Sequence, residues 1–171
     1  MKVQQNLQQL TAYATRFSLV RRMMRLAIRA IVPQFRIGAA VVLFDERGRV
    51  LLLEHPFHGR YPWSLPGGWV DRGETPDATV ERELWEETRL KATIGPAIHF
   101  DRTNPGFSQN IFFEATDHEG EIALSFEATA YDWFEMDKLP RSKMLPNTRH
   151  AIAIGHERFL ARTQAAIGVT A

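Results

Sequence analysis

The sequence predicts a domain of the α/β class (α+β type), in which helices pack on a mixed β-sheet. Three observations support this. The 171 residues have the usual length of one domain. Hydrophobic residues form 44% of the chain, enough for a core, and charged residues 24%. Apolar runs typical of buried strands alternate with stretches that have the period of amphipathic helices.

The first predicted element is a basic amphipathic helix within residues 1–34, starting near Leu7 or Thr15. At 100° per residue, one side carries the apolar residues Phe17, Val20, Met24, Ile28 and Ile31. The opposite side carries Arg21, Arg22, Arg25 and Arg29. Pro33 should end the helix, because proline disfavours helical geometry in the residue before it.

The remaining elements belong to a domain expected over residues 35–163, followed by a tail over 164–171. Ile37–Phe44 and Val50–Leu53 are predicted strands joined by a turn. Pro76–Thr88 is a predicted helix, with Thr75 at the N-cap and Pro76 at the first helical position. Later strands are expected near 92–100, 110–116 and 128–134, and an amphipathic helix from Pro146 to about Arg162.

Composition excludes several classes of site and divides the charge unevenly. The chain has no cysteine, which excludes disulfides, thiolate metal sites and a cysteine nucleophile. The net charge of +1 combines +7 over residues 1–44, which contain no acidic residue, with −6 over residues 45–171. No run of about 18 uninterrupted apolar residues occurs, so a membrane-spanning helix is not expected. A cytoplasmic location is expected, although the arginine-rich start resembles a transit peptide in composition.

The densest acidic feature is the stretch 81–87, in which Glu83, Glu86 and Glu87 would share one face of a helix. Three like charges so close together destabilise a helix unless a positive group lies among them. Arg82 cannot neutralise all three, whereas a hard divalent cation can, since it prefers carboxylate oxygens. A solvated acidic face is the alternative. The upstream Pro66-Gly-Gly68, where backbone can approach a ligand closely, and Glu74, placed to orient Arg82, favour a site.

The spacing of these residues resembles the Nudix box of the Nudix hydrolases. Gly68 is followed after five residues by Glu74, after seven more by Arg82-Glu83-Leu84, and then by Glu86-Glu87 and Arg89-Leu90. Only Arg89 departs from the pattern, where the family usually has a glycine in left-handed geometry after the helix. The surrounding segment from Phe35 to Pro140 is similar to the rest of that domain. The resemblance implies a mixed-sheet α/β/α sandwich with an added N-terminal helical segment.

The resemblance also implies the activity, which is hydrolysis of a nucleoside diphosphate linked to another group. It implies that Mg²⁺ or Mn²⁺ binds to Glu83, Glu86 and Glu87, aided by the Gly67 carbonyl. Glu74 and Arg82 would brace the loop and the helix. Some family members supply a further carboxylate from the loop that corresponds to Glu127, so both Glu83 and Glu127 are candidates for metal ligand and general base. A catalytically silent module that binds a nucleotide is the competing class.

The substrate is less strongly indicated, with ADP-ribose or a related nucleotide sugar as one candidate. Pro105 and Phe107 lie in a segment that resembles a proline-containing segment of ADP-ribose pyrophosphatases, although a simple turn is equally compatible. Arg60 could reach a phosphate and Trp63 could stack on a base or sugar. The alternative is that Trp63 belongs to the core.

The basic N-terminal helix has three interpretations: it covers the protein's own sheet, forms a homodimer contact, or lies peripherally on an anionic membrane. Nucleic-acid binding is not expected, because the motif region is acidic and no recognition motif occurs.

Overall fold

The computed structural model describes residues 4, 18–32, 35–104 and 108–168. The chain divides into two compact units, Met1–Phe35 and Arg36–Ala171. In the first unit, helix α1 spans Ser18–Ile31. The predicted starting points of this helix, Leu7 and Thr15, lie outside the described residues.

The second unit contains the predicted mixed sheet, as two groups of hydrogen-bonded strands. β1 (Arg36–Leu43) lies between β4 (Gly67–Trp69), which is antiparallel to it, and β6 (Ser108–Glu119), which is parallel to it. β6 pairs with β5 (Lys91–Asn104) on its other side. In the second group, β2 (Val50–Glu54) lies between β3 (Trp63–Ser64) and β7 (Ala130–Phe134), both antiparallel to it.

Helices α2 (Pro76–Thr88) and α3 (Pro146–Gly168) belong to different core clusters. Successive strand residues point to opposite faces, so β1 and β2 contribute to both clusters. In the first cluster, the odd-numbered residues Val41 and Leu43 of β1 and Leu51 and Leu53 of β2 pack with Val80 and Leu84 of α2. In the second cluster, Val42 of β1, the following Phe44, and Val50 and Leu52 of β2 pack with Ala151 and Ile152 of α3. The α/β/α arrangement is therefore confirmed.

A buried carboxylate with two partly exposed arginine partners lies on the side of the sheet on which α3 packs. Glu114 of β6 is buried, and its two carboxylate oxygens accept hydrogen bonds from Nη2 and Nε of Arg158 at 2.8 and 2.9 Å. Arg162 also donates to Glu114. These guanidinium groups lower the pKa of Glu114.

Several boundaries differ from those predicted. α3 ends at Gly168 instead of near Arg162, and β5 and β6 extend well beyond the predicted strands. The extra length of β5 and β6 reflects their pairing with each other, which local composition does not reveal. Among the described helices, none is long and apolar enough to cross a membrane.

Candidate active site

Helix α2 begins and ends as its sequence predicts. Thr75 is the N-cap residue in extended geometry, Pro76 follows, and Asp77 lies in the first turn. At the other end Arg89 adopts the left-handed conformation, with φ 62°, and its N–H donates to the Trp85 carbonyl at 2.9 Å. The guanidinium of Arg89 lies over the Trp85 ring, 5.4 Å from its centre. The non-glycine residue therefore preserves the helix end, in a conformation that costs it roughly 1 kcal/mol.

The two glycines of β4 allow backbone and helix to approach closely. A Cβ on Gly67 would collide with the backbone of Ala39 and Ala40 in β1. A Cβ on Gly68 would collide with the carboxylate of Glu83. The glycine pair thus brings bare main chain directly against the acidic face of α2.

Glu87 is the most buried carboxylate of this face, with only 4% of its surface exposed. Its Oε2 accepts a hydrogen bond from the Gly67 N–H at 3.0 Å. Its Oε1 lies 3.6 Å from Nε2 of His55, which is also buried. Burial, followed by repulsion from Glu83, raises the pKa of Glu87 to about 8.

His55 has a lowered pKa, so it supplies no positive charge that would favour ionisation of Glu87 near neutral pH. Burial, reinforced by the neighbouring His58 ring stacked at 4.6 Å, lowers its pKa to about 4.

Arg82 connects the other acidic groups, as predicted for its contact with Glu74. Its Nε and Nη2 donate to the two oxygens of Glu74, both at 3.0 Å. Its Nη1 donates to Glu83 at 2.8 Å and to Glu86 at 3.2 Å. These hydrogen bonds lower the pKa of Glu74 to about 2, while burial raises the pKa of Glu83. One guanidinium therefore faces three carboxylates, and Glu87 has no contact with it among the hydrogen bonds of the described residues.

The segment 121–128 brings Glu127 to the same place. It is attached to the end of α2, since Ala123 N–H donates to the Thr88 carbonyl at 2.9 Å and Ser125 N–H to the Glu87 carbonyl at 3.1 Å. A cavity of about 560 Å³ results. Its lining includes all four glutamates of interest: Glu83, Glu86, Glu87 and Glu127.

The donor set fits a hard divalent cation. Four carboxylates share one cavity, and burial and mutual repulsion raise the pKa values of Glu83 and Glu87, which shows that negative charge there is undercompensated. Within the described part of the chain, no three His, Asp or Glu side chains are already arranged to hold a metal ion. Nη1 of Arg82 instead donates to Glu83 and Glu86, so these two carboxylates share one cationic partner.

The predicted substrate residues are less well placed. Trp63 packs edge-on against Phe134, with ring centres 5.0 Å apart, and it is a partly buried residue that packs against the second core cluster. Arg60 lies over the Tyr61 ring at 5.5 Å. Neither lines the cavity of the glutamates, and Pro105 and Phe107 lie outside the described residues.

A second cavity, of about 250 Å³, lies beside the glycine pair and contains residues that sequence reasoning missed. Its lining includes Gly67, Gly68, Trp69, Ser64 and Asn110. Strand pairing of β4 and β6 with β1 brings Trp69 and Asn110 together from distant parts of the sequence. His55 follows β2 directly, and no sequence signal connects it to Glu87.

Comparison with known proteins identifies the family. The NUDIX domain profile matches residues 34–154. A Bacillus subtilis protein, provisionally named an 8-oxo-dGTP diphosphatase, is 30% identical over 119 residues, which are 67% of this chain and 76% of that protein. An ADP-ribose pyrophosphatase of Methanocaldococcus jannaschii is 28% identical over 125 residues, 69% of this chain and 67% of that one.

A solved structure agrees with these relatives. The crystal structure of a MutT NUDIX hydrolase from Burkholderia pseudomallei superposes with a TM-score of 0.57 at 30% identity, covering 71% of this chain and 98% of that one. The profile match over most of the chain, together with this structural likeness, confirms the resemblance seen in the Nudix box. The chain belongs to the Nudix family.

Proposed function

We propose that the protein is a divalent-metal-dependent pyrophosphohydrolase that acts on a nucleoside diphosphate linked to another group. The observation that carries this proposal is the convergence of four glutamates, Glu83, Glu86, Glu87 and Glu127, on one cavity against the glycine backbone of β4. Nudix relatives are named as pyrophosphatases and diphosphatases of nucleotide derivatives, which supports the same class of reaction.

Glu83, Glu86, Glu87 and Glu127, with the Gly67 carbonyl, would hold Mg²⁺ or Mn²⁺. Such a cation supplies screening of the phosphate oxygens and a more acidic bound water. Arg82 and Glu74 would position the helix face, because their paired hydrogen bonds fix Arg82 beside Glu83 and Glu86. The pair of glycines lets the main chain of β4 lie directly against Ala39, Ala40 and the Glu83 carboxylate.

Two carboxylates are candidates for the general base that accepts the proton of the attacking water. Burial raises the pKa of Glu83, and the hydrogen bond that it accepts from Arg82 opposes this rise. Glu127 is exposed and lines the same cavity. The pH dependence of kcat in Glu83→Gln and Glu127→Gln distinguishes them, since loss of the base removes the acidic limb of the profile.

The substrate proposal includes ADP-ribose and related nucleotide sugars. The relative from Methanocaldococcus jannaschii is named as an ADP-ribose pyrophosphatase, and the relative from Bacillus subtilis is named for an oxidised nucleoside triphosphate. The apolar cavity beside Gly68, with Trp69 and Asn110 in its lining, has the character of a site for a base or sugar. Arg60, Trp63, Pro105 and Phe107 remain predictions from sequence.

A hydrolysis panel with product identification tests the proposal. It should contain ADP-ribose, sugar nucleotides, dinucleoside polyphosphates, coenzymes and oxidised nucleoside triphosphates, each with Mg²⁺, with Mn²⁺ and with a chelator. We expect cleavage of a pyrophosphate bond only with metal. If nucleotides bound but none was hydrolysed under these conditions, the result would favour the alternative, a catalytically silent module that binds a nucleotide. The cytoplasmic location, homodimer and membrane contact remain predictions.

A further inference from the structure

Helix α1 is divided lengthwise into an apolar face and a basic face. At 100° per residue its apolar residues cover roughly 200° of the helix circumference. On this apolar face Ile31, Leu19 and Met23 are 80%, 68% and 62% exposed. Arg21, Arg22 and Arg25 are exposed on the basic face.

The sequence around this basic face supplies no acidic residue that could pair locally with its arginines. Residues 1–44 contain seven basic residues and no acidic one. Arg21 and Arg25 are one turn apart and repel each other, and Nε of Arg25 donates to the Arg21 carbonyl at 3.4 Å instead of to a carboxylate. An anionic partner would relieve this repulsion.

The apolar and basic faces together indicate which kind of surface α1 binds. Packing on another protein surface, including a second copy of the chain, would cover the apolar face and leave the arginines in water with their repulsion intact. An anionic lipid surface accepts both faces at once, because the apolar side chains enter the acyl boundary and the arginines lie at the level of the phosphates.

We propose that α1 lies in the surface of an anionic lipid membrane, with Leu19, Met23 and Ile31 inserted and Arg21, Arg22 and Arg25 among the lipid phosphates. This inference does not depend on the proposed hydrolysis, since it rests on a helix outside the matched NUDIX domain. Its consequence is that a nucleotide-cleaving domain is held at a membrane.

Vesicle flotation of the full chain tests the proposal. Vesicles of phosphatidylcholine with about 30% phosphatidylglycerol should carry the protein at low salt, and pure phosphatidylcholine should carry much less. Raising NaCl from about 0.05 to 0.5 M should reduce binding, because screening weakens attraction to the surface. Absence of flotation with the anionic vesicles at low salt would overturn the proposal.

Paired variants separate the two faces. Arg21→Gln with Arg25→Gln should weaken binding about thirtyfold, since each arginine near the surface contributes about fivefold. Arg141→Gln with Lys143→Gln, an equal charge change at exposed residues of the other unit, should leave binding within about twofold. Met23→Gln with Ile31→Gln keeps the charge and should weaken binding about a hundredfold.

Two results would contradict the assignment of the faces. If the Arg21 and Arg25 pair and its control weakened binding equally, only net charge would matter. If the Met23 and Ile31 pair left flotation unchanged but converted a dimer to a monomer in sedimentation, the apolar face would be a contact between copies.

Discussion

Replacing Glu87 with glutamine should stabilise the metal-free protein while abolishing its activity. Glu87 is almost fully buried, and burial raises its pKa to about 8 from an ordinary value of 4.5. The unfolded chain therefore loses the proton at a lower pH than the folded protein, so this carboxyl opposes folding above pH 4.5. At pH 7, which is 2.5 units above the ordinary pKa of 4.5, this carboxyl lowers the unfolding free energy by about 3 kcal/mol.

Glutamine can keep the local contacts of the carboxyl. Its carbonyl oxygen can accept the Gly67 N–H, and its amide can donate to the neutral ring of His55. We therefore expect Glu87→Gln, unfolded in urea with a chelator present, to gain about 3 kcal/mol of unfolding free energy at pH 7. The gain should shrink to about 1 kcal/mol at pH 5 and grow to about 5 kcal/mol at pH 9.

Activity should change in the opposite direction, because the variant loses a proposed metal ligand. Metal-dependent hydrolysis should fall by about two or more orders of magnitude. Glu81→Gln is the matched control, since Glu81 lies exposed on the same helix, and it should change neither property. A stability gain that stayed constant from pH 5 to pH 9, or a loss of stability, would refute the burial argument.

Substitutions at four further positions, Arg89, Gly68, Gly67 and Glu114, test other features of the structure. Arg89→Gly should be more stable than Arg89→Ala by about 1 kcal/mol in chemical unfolding, because both lose the ring contact and only glycine relieves the left-handed strain; equal stabilities would contradict that strain. Gly68→Ala should fold normally, because its Cβ displaces only the flexible Glu83 carboxylate, but it should bind Mn²⁺ at least about tenfold more weakly in EPR titration. Gly67→Ala should lose about 2 kcal/mol or more of unfolding free energy, because its Cβ meets backbone. Glu114→Gln should cost about 1–3 kcal/mol of unfolding free energy after allowance for its partly exposed arginine partners. Since the pKa of Glu114 is lowered, this contribution is present above pH 4.5 and is lost as the pH falls, so wild type and variant should converge in acid.

The sequence was most informative where a local pattern determines the structure. The apolar runs and the capping residues predicted β1, β2 and α2 because alternation and helix termini depend on neighbouring residues. The acidic face of α2 also followed from helical spacing, and the contact of Arg82 with Glu74 was expected from the position of Glu74 just before the helix. At Arg89, which replaces the usual glycine, the sequence did not determine the geometry of the helix end, and the Trp85 contact depends on side-chain direction.

Features that depend on tertiary contacts could not be predicted in this way. The contact of His55 with Glu87 joins a loop after β2 to α2 through the fold, and no spacing rule connects the two residues. The cavity that contains Trp69 and Asn110 requires β4 and β6 to flank β1, an order that local patterns do not determine. For Trp63 the sequence left a stacking role and a core role open, and only the fold shows that it packs against Phe134.

The dependence of hydrolysis on Mg²⁺ in Glu86→Gln tests the central claim most directly. Glu86 is half exposed and its contact with Arg82 is at the surface, so its loss should leave the fold and the unfolding free energy unchanged. We predict that the wild type cleaves its substrate only with added Mg²⁺. The variant should need at least about tenfold more Mg²⁺ for half-maximal rate or lose turnover altogether. An identical Mg²⁺ dependence in both proteins, or turnover in chelator, would contradict the assignment of the α2 carboxylates as the metal site.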